Sequence, residues 1–461
     1  MSSVPTSIQQ RLADHGQEHL LHFWNKLDEV GRTNLSKQIE SIDFTQFDEL
    51  IEVMRTEDKT FSIDEISPSP FISIEDDTVD WEGLKQAGET LIMQGKLGVL
   101  TVAGGQGTRL GWSGPKGTFP ATPITGKSLF QVIAEQILFA TRKYNVTIPW
   151  YIMTSVENDA VTQSFLLDNN CFGLDRTNIF IFPQGVVPAV DKDGKMLLEK
   201  RHQIFMNPDG HGGVITALKH SGALEEMGAR GIEQLAYVQV DNPLVKVVDP
   251  IFLGLHCSEH SSGQVSSKCV MKSNPDERVG VFCTRGNTTS IVEYSDMTRE
   301  QTHEQKENGT LAYCCGSIAA HLFSTNFIEE AADNLPWHVA HKAVSYIDIS
   351  NGEESISTQE QNAYKFERFV FDVLPLASNS LVFETKREEE FAPIKNENGD
   401  DSAQTSMKLQ CDRAATWLRA CGVEVSQEAL VEISPTTAAS AEDLASSTLP
   451  TQIGPDEVVS L

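Results

Sequence analysis

The chain has 461 residues, of which 40% are hydrophobic and 22% charged, with a formal charge of −29; this is a globular composition on a chain too long for one ordinary domain. The acidic balance excludes a general nucleic-acid or anionic-membrane surface, because phosphate backbones are held by clustered Lys and Arg. It leaves room for a small anion, which needs only a local nest of amides and one or two cations.

The first residues, MSSVPTSIQQ, lack the basic start and apolar run of a signal peptide, and no stretch is apolar for long enough to span a bilayer, which predicts a cytosolic protein with no membrane partner. Eight cysteines without a C-x-x-C pair, including the adjacent Cys314 and Cys315, predict reduced, packed thiols.

Residues up to about Leu91 read as helices: LLHFWNKL and FDELIEVM place apolar residues three and four apart. From Leu97 the pattern changes to short apolar runs bounded by Gly, Pro, Asn and Asp, namely LGVLTVA, WYIMTS, NIFIFPQ, LAYVQVD, VSSKCVM and GSIAAHLF, with helical stretches such as SLFQVIAEQILFATRKY between them. This alternation predicts an α/β fold with a central mixed, mostly parallel sheet, whose ligands collect beyond the carboxyl ends of the strands. After Ser434 the chain becomes rich in Ser, Thr and Ala, which predicts a loose tail. The expected lobes are residues 1–95, 96–380 and 381–461: a helical start, a catalytic domain and a small C-terminal domain.

Directly after the first buried strand comes VAGGQGTRLGWSGPKG, from Val102 and Ala103 to Gly117. Gly104, Gly105, Gly107 and Gly111 permit turns and close approach, so amides can point at a triphosphate while Arg109 and Lys116 add positive charge. A dinucleotide fingerprint fails on spacing, because Leu110 stands where it requires glycine. ATPITGKS, Ala121–Ser128, nearly matches a P-loop, but PKGTFP before it cannot form the buried strand such a loop follows. Ser128 with Gln131 instead reads as a capping box, and Lys127 remains a second candidate for an anion.

GGQGTRLG, then PKG, then KSLFQ resembles the signature of the eukaryotic-type UDP-sugar pyrophosphorylases, of the nucleotidyltransferase fold (Rossmann-like, GT-A-like), and within them the UDP-N-acetylglucosamine branch. The likeness continues through FPQG at Phe182, NPDGHGG at Asn207, VDNPL at Val240, RVGV at Arg278, VEYSD at Val292, SIAAHLF at Ser317, LPWHVAHK at Leu335, KFERFVFDVLP at Lys365 and KREEEFAPIKN at Lys386. It implies an enzyme that joins UTP and a sugar 1-phosphate into a UDP-sugar and pyrophosphate, with Mg2+ as cofactor.

Carried over residue by residue, the resemblance gives Val102, Ala103, Gly104, Gly105, Gln184 and Gly210 to the nucleotide. It gives Asp241, at the end of the apolar run LAYVQV, to the metal, and Arg109, Lys116 and Lys395 to the chemistry. His211, Gly280, Glu293 and Ser317 fall at the sugar positions. Two of these depart from the acetylglucosamine pattern, which has asparagine where this chain has His211 and Ser317; GHG is the form of glucose-type and broad-specificity members. The resemblance implies N-acetylglucosamine 1-phosphate as the sugar substrate, and the two departures keep glucose 1-phosphate or a broad range as the alternative.

Other classes are open to test. A P-loop phosphotransferase would use Lys127 and Ser128, a silent UDP-sugar binder would bind without turnover, and His256, Glu259 and His260 fit an inverted zinc-peptidase spacing on a stretch that SerSerGly interrupts. Retention of Arg109, Lys116, Asp241 and Lys395 together disfavours silence. His338 and His341 have similar spacing without an acid and read as packing histidines.

Overall fold

The computed structural model describes residues 3–56, 65–350, 352–355 and 361–461. The chain forms two units, each interleaved from three segments: a larger one of Ile63–Pro183, Ile215–Asn334 and Phe371–Leu461, and a smaller one of Met1–Ser62, Gln184–Val214 and Leu335–Val370. The lobes expected from sequence were consecutive, whereas these units share the chain by long excursions, a pattern that local composition does not encode.

The larger unit is built on a ten-stranded sheet. The six apolar runs become its strands β1 (Leu97–Val102), β2 (Trp150–Thr154), β3 (Ile179–Pro183), β4 (Gln234–Gln239), β5 (Val265–Met271) and, counting two intervening strands, β8 (Cys315–Ser324). Those two, β6 (Val281–Arg285) and β7 (Thr288–Val292), form a hairpin, and β9 (Leu381–Glu384) lies beside β5. β4, β1, β2 and β3 are consecutive parallel neighbours. β8 then runs antiparallel to both β4 and β5, which makes the sheet mixed.

The parallel strands carry near-continuous apolar runs because both faces are covered. Val99, Trp150, Ile152, Ile179 and Val238 share one core with helices α1 (Trp81–Met93), α2 (Leu129–Tyr144) and α3 (Pro250–His256). Each such side chain is worth roughly 1.5–3 kcal/mol of burial. Trp150 is fully enclosed and satisfies its indole N–H on Thr101 Oγ1 at 2.8 Å. α2 starts where the capping signal placed it: Ser128 Oγ accepts from Gln131 N at 3.1 Å, although the Gln131 side chain turns to Glu135 at 2.8 Å instead of completing the box.

The tail is not loose. Helix α4 (Ala403–Ala420) buries Ala414, Trp417 and Leu418 against Val431, Ala438, Leu444 and Ile453, and the strand Leu430–Glu432 pairs in parallel with Val458–Ser460. The Ser/Thr/Ala composition hides three well-spaced apolar anchors, Ala438, Leu444 and Ile453.

In the smaller unit, the helices Thr6–Asp14, Glu29–Ser41 and Phe44–Thr56 bury Ile8, Leu12, Leu35, Ile39, Phe47 and Leu50 in one cluster that also holds Val187, Ile204 and Phe366. FDELIEVM is helical as read, but LLHFWNKL folds as two 3-10 turns, Glu18–Leu21 and Trp24–Lys26. Among the described residues no helix is long and apolar enough to cross a membrane.

Candidate active site

β1 and β4 are parallel neighbours whose paired ends are Val102 and Gln239, so the loops that follow them leave the same carboxyl edge. The first is the glycine loop. Asn158 holds its base, donating from Nδ2 to Ala103 O at 3.1 Å. The loop then folds back on itself, with Gly107 N on Gly114 O at 2.8 Å and Lys116 N on Gly105 O at 3.0 Å. Gly105 is exposed, with open space where a Cβ would stand, whereas Gly117 lies so close to Phe130 that a Cβ would meet its ring at 2.2 Å.

The second loop begins at Asp241. Its Oδ2 accepts from Lys116 Nζ at 3.1 Å, and both side chains are nearly buried, at 13% and 11% exposure. The strand-end carboxylate and the loop cation expected from sequence are thus brought together. Asp241 Oδ1 has no partner among the described residues.

Lys395 arrives on a third segment. Ile394 N donates to Asp241 O at 2.8 Å, which sets Lys395 beside the Asp241 loop, while Lys395 N and Asn396 N donate to Asp401 O at 2.7 and 3.1 Å. Lys395 Nζ is 3.5 Å from Asp401 Oδ2, both about one-third exposed. Glu397 packs on Gly111, whose absent Cβ would stand 3.2 Å from its carboxylate. Arg109, on the 3-10 turn Thr108–Leu110, is exposed and makes no ion pair among the described residues.

Three of the four sugar candidates also meet in this unit. Ser317 N donates to Gly280 O at 2.8 Å, and Glu293 Oε1 would be 3.5 Å from a Cβ on Gly280. Burial and then Asp296 push the Glu293 carboxyl up, with Lys395 pulling it down. Next to Ser317 the register of β8 against β5 slips, and Ala319 takes a φ of 53°; such bulges re-aim side chains at the edge of a site.

The smaller unit holds the remaining candidates. Gln184 is 9% exposed, and its amide makes no hydrogen bond among the described residues. NPDGHGG wraps onto the chain at Arg368: Gly212 N donates to Arg368 O and Arg368 N to Asp209 O, both at 2.8 Å. Gly210 has φ +85° and approaches Arg368 O so closely that a Cβ would stand at 2.4 Å, which explains glycine there. Val370 N donates to His211 Nδ1 at 3.1 Å, so neutral His211 carries its proton on Nε2 and can donate there. Its ring packs on Phe369, which also packs on His338.

Sequence reasoning passed over Asp209 in the same motif. Burial raises its carboxyl to about 7 against the pull of Arg368, and its Oδ1 and the Nδ2 of buried Asn207 have no partner among the described residues. Of this motif, only Gly210 and His211 carry a role assigned from sequence.

The other constellations resolve into packing. Lys127 Nζ is spent on Glu135 at 2.6 Å and Ser434 Oγ at 2.7 Å, and the amides of Ile124 and Thr125 donate to Glu432 at 2.7 and 3.0 Å. The P-loop-like segment therefore does hold an anion, but it is the protein's own carboxylate. His256 is buried between Ser266 Oγ at 2.7 Å and Gln234 Oε1 at 3.0 Å, and burial lowers it to about 4; both ring nitrogens are occupied, so it is a core histidine. His341 stacks on Tyr364 at 4.4 Å. All eight cysteines are free thiols.

Against this geometry stands a match to the family model described as UTP–glucose-1-phosphate uridylyltransferase, over residues 44–414. The chain belongs to this uridylyltransferase family. Among its relatives, UDP-N-acetylglucosamine diphosphorylase 2 of Arabidopsis thaliana is 35% identical, covering 96% of this chain and 91% of that one. The UDP-N-acetylglucosamine pyrophosphorylase of Saccharomyces cerevisiae is 31% identical, over 95% and 96% of the two chains. In structure, the uridine diphosphate N-acetylglucosamine pyrophosphorylase of Trypanosoma brucei, solved with an inhibitor, superposes with a TM-score of 0.81 at 26% identity over 96% of this chain and 95% of its own.

Proposed function

We propose that the chain is a uridylyltransferase that makes UDP-N-acetylglucosamine and pyrophosphate from UTP and N-acetylglucosamine 1-phosphate. The observation that carries this reading is the Lys116–Asp241 pair at 3.1 Å, set where the loops of two neighbouring parallel strands emerge. The acetylated sugar rests on the names of the relatives. His211 and Ser317, in place of asparagines, favour glucose 1-phosphate or a broader range as the second reading.

The reaction needs no protein nucleophile. A phosphate oxygen of the sugar 1-phosphate attacks the α-phosphorus of UTP, the bond to the bridging oxygen breaks, and pyrophosphate leaves with that oxygen. Catalysis then consists of alignment and of stabilising charge on the phosphoryl group and the leaving pyrophosphate. Lys116 and Lys395 supply fixed positive charge, Arg109 adds it from the exposed turn, and the amides around Gly104 and Gly105 hold phosphate oxygens. Gln184 and Gly210 are assigned to the uracil, His211, Gly280, Glu293 and Ser317 to the sugar.

The donor set fits magnesium, which takes one or two carboxylates and completes its shell with substrate phosphate and water. Asp241 would hold it, with one oxygen unpartnered and the other on a lysine that can turn to phosphate. When bound, the ion supplies charge neutralisation on the triphosphate.

The test is pyrophosphate release from UTP and magnesium across N-acetylglucosamine, N-acetylgalactosamine, glucose and galactose 1-phosphates. The reading expects the highest kcat/KM with N-acetylglucosamine 1-phosphate. A preference for glucose 1-phosphate would move the assignment to the second reading, and no pyrophosphate with any sugar would refute both.

A further inference from the structure

A set of buried polar groups converges on the segment that carries Lys395, and none of it belongs to the residues assigned above. Asn242, 5% exposed and adjacent to Asp241, grips that segment with both ends of its amide. Nδ2 donates to Glu390 O at 2.6 Å, while Oδ1 accepts from Ala392 N at 3.0 Å and from Leu244 N of its own loop at 3.2 Å. One planar group thus ties residues 390–392 to the turn after Asp241, and two residues further on Ile394 N bonds to Asp241 O itself. Only a carboxamide donates and accepts in this way; aspartate lacks the donor.

The root of the segment is pinned as well. The Glu390 carboxylate receives Lys268 Nζ at 2.6 and 2.8 Å and Thr385 Oγ1 at 2.5 Å. Lys268 projects from β5, is wholly enclosed, and also reaches Asp249 at 2.6 Å. Burial pulls the Lys268 ammonium down, but Asp249 and Glu390 outweigh it and the net direction is up, so the lysine is charged. From the other face Ser406 Oγ donates to Ala392 O at 2.6 Å. A buried ion cluster is a poor way to gain stability, since desolvation offsets most of its attraction, whereas it defines geometry well.

We propose that Asn242 is a positioning residue, which holds the 390–395 segment in register with the Asp241 loop and thereby fixes Lys395 relative to the Asp241 carboxylate. This rests on the reading of Lys395 as a cation at the chemistry. Asn242 touches no substrate in this account and acts through Lys395; a displacement of about 1 Å at such a charge costs about 100-fold in rate.

A double-mutant cycle in turnover tests it, with wild type, Asn242→Ala, Lys395→Ala and the double variant assayed for kcat and for KM of both substrates, and each melted to establish folding. The expected result is a kcat about 10- to 100-fold lower in Asn242→Ala with KM for UTP changed by less than about threefold. In the Lys395→Ala background the same change should cost less than about twofold. Equal losses in both backgrounds would overturn the inference while leaving Lys395 in its role. Full turnover in Lys395→Ala alone would remove Lys395 from the chemistry and this inference with it. Should Asn242→Ala not fold, Ser406→Ala, which frees the other face of the same segment, enters the same cycle with the same criteria.

Discussion

Lys116 Nζ and Asp241 Oδ2 lie 3.1 Å apart and join two loops separated by more than a hundred residues of sequence. On the proposed function the pair is a resting arrangement, in which the triphosphate would draw the lysine and a magnesium ion would take the carboxylate. Lys116→Met is expected to lower kcat by about 10²–10³-fold. Asp241→Asn should fall comparably and need more magnesium for half-maximal rate. Initial rates against magnesium concentration check this, and an unchanged magnesium requirement in Asp241→Asn would take the metal away from Asp241.

Lys127 sits in a segment that looks like a phosphate loop yet is tied to Glu135 and Ser434, with side-chain exposures of 13% and 9% for the ion pair. Lys127→Met should therefore destabilise the fold, by about 3 kcal/mol as for a nearly buried pair that loses one member. It should leave kcat/KM within about threefold of wild type under conditions where both are folded. Denaturant unfolding and steady-state rates separate the two; a large kinetic loss without a stability change would restore the phosphate role.

Asp209 carries the pH dependence. Its folded pKa is raised to about 7 by burial, so neutral Asp209 is the form the fold favours. That stabilisation is complete below the unfolded value of about 4 and is lost as pH rises through about 7. Asp209→Asn, which cannot ionise, should gain on wild type progressively between about pH 4 and about pH 7. Melting temperatures of both proteins across that range check the sign, and parallel curves would contradict it.

Glu293 faces Gly280, whose carbonyl accepts from Ser317. On its proposed assignment as an acceptor for sugar hydroxyls, Glu293→Gln should lower kcat/KM for the sugar 1-phosphate by about tenfold or more while KM for UTP stays within about twofold. Saturation curves for each substrate in turn distinguish this from a general loss, which would appear in both.

The central parallel strands and the loops that leave their carboxyl ends were the most legible part of the chain. LGVLTVA and LAYVQVD are short, near-continuous apolar runs of the kind a strand covered on both faces requires, with the glycines following the first and Asp241 closing the second. What escaped reading depends on long-range contacts. VFCTR and LVFE were too short to stand out beside their polar neighbours, yet pair with β8 and β5. Ser434–Leu461 has the composition of a solvated tail, and only its contacts with Trp417 and Leu418 make Ala438, Leu444 and Ile453 a core. Asn242 carries no signal of its own within VDNPL, because the carbonyl and amide it clamps lie about 150 residues away. Lys268 looked like one polar residue in a strand until Glu390 and Asp249 met it.

The central claim, uridylyl transfer at the Lys116–Asp241 edge, is most directly tested by following the γ-phosphorus label of UTP in the presence of N-acetylglucosamine 1-phosphate and magnesium. The account predicts that the label leaves as pyrophosphate, one for each UDP-sugar formed, and that Lys116→Met suppresses both products together. Label released as orthophosphate, or transferred to the sugar, would contradict it.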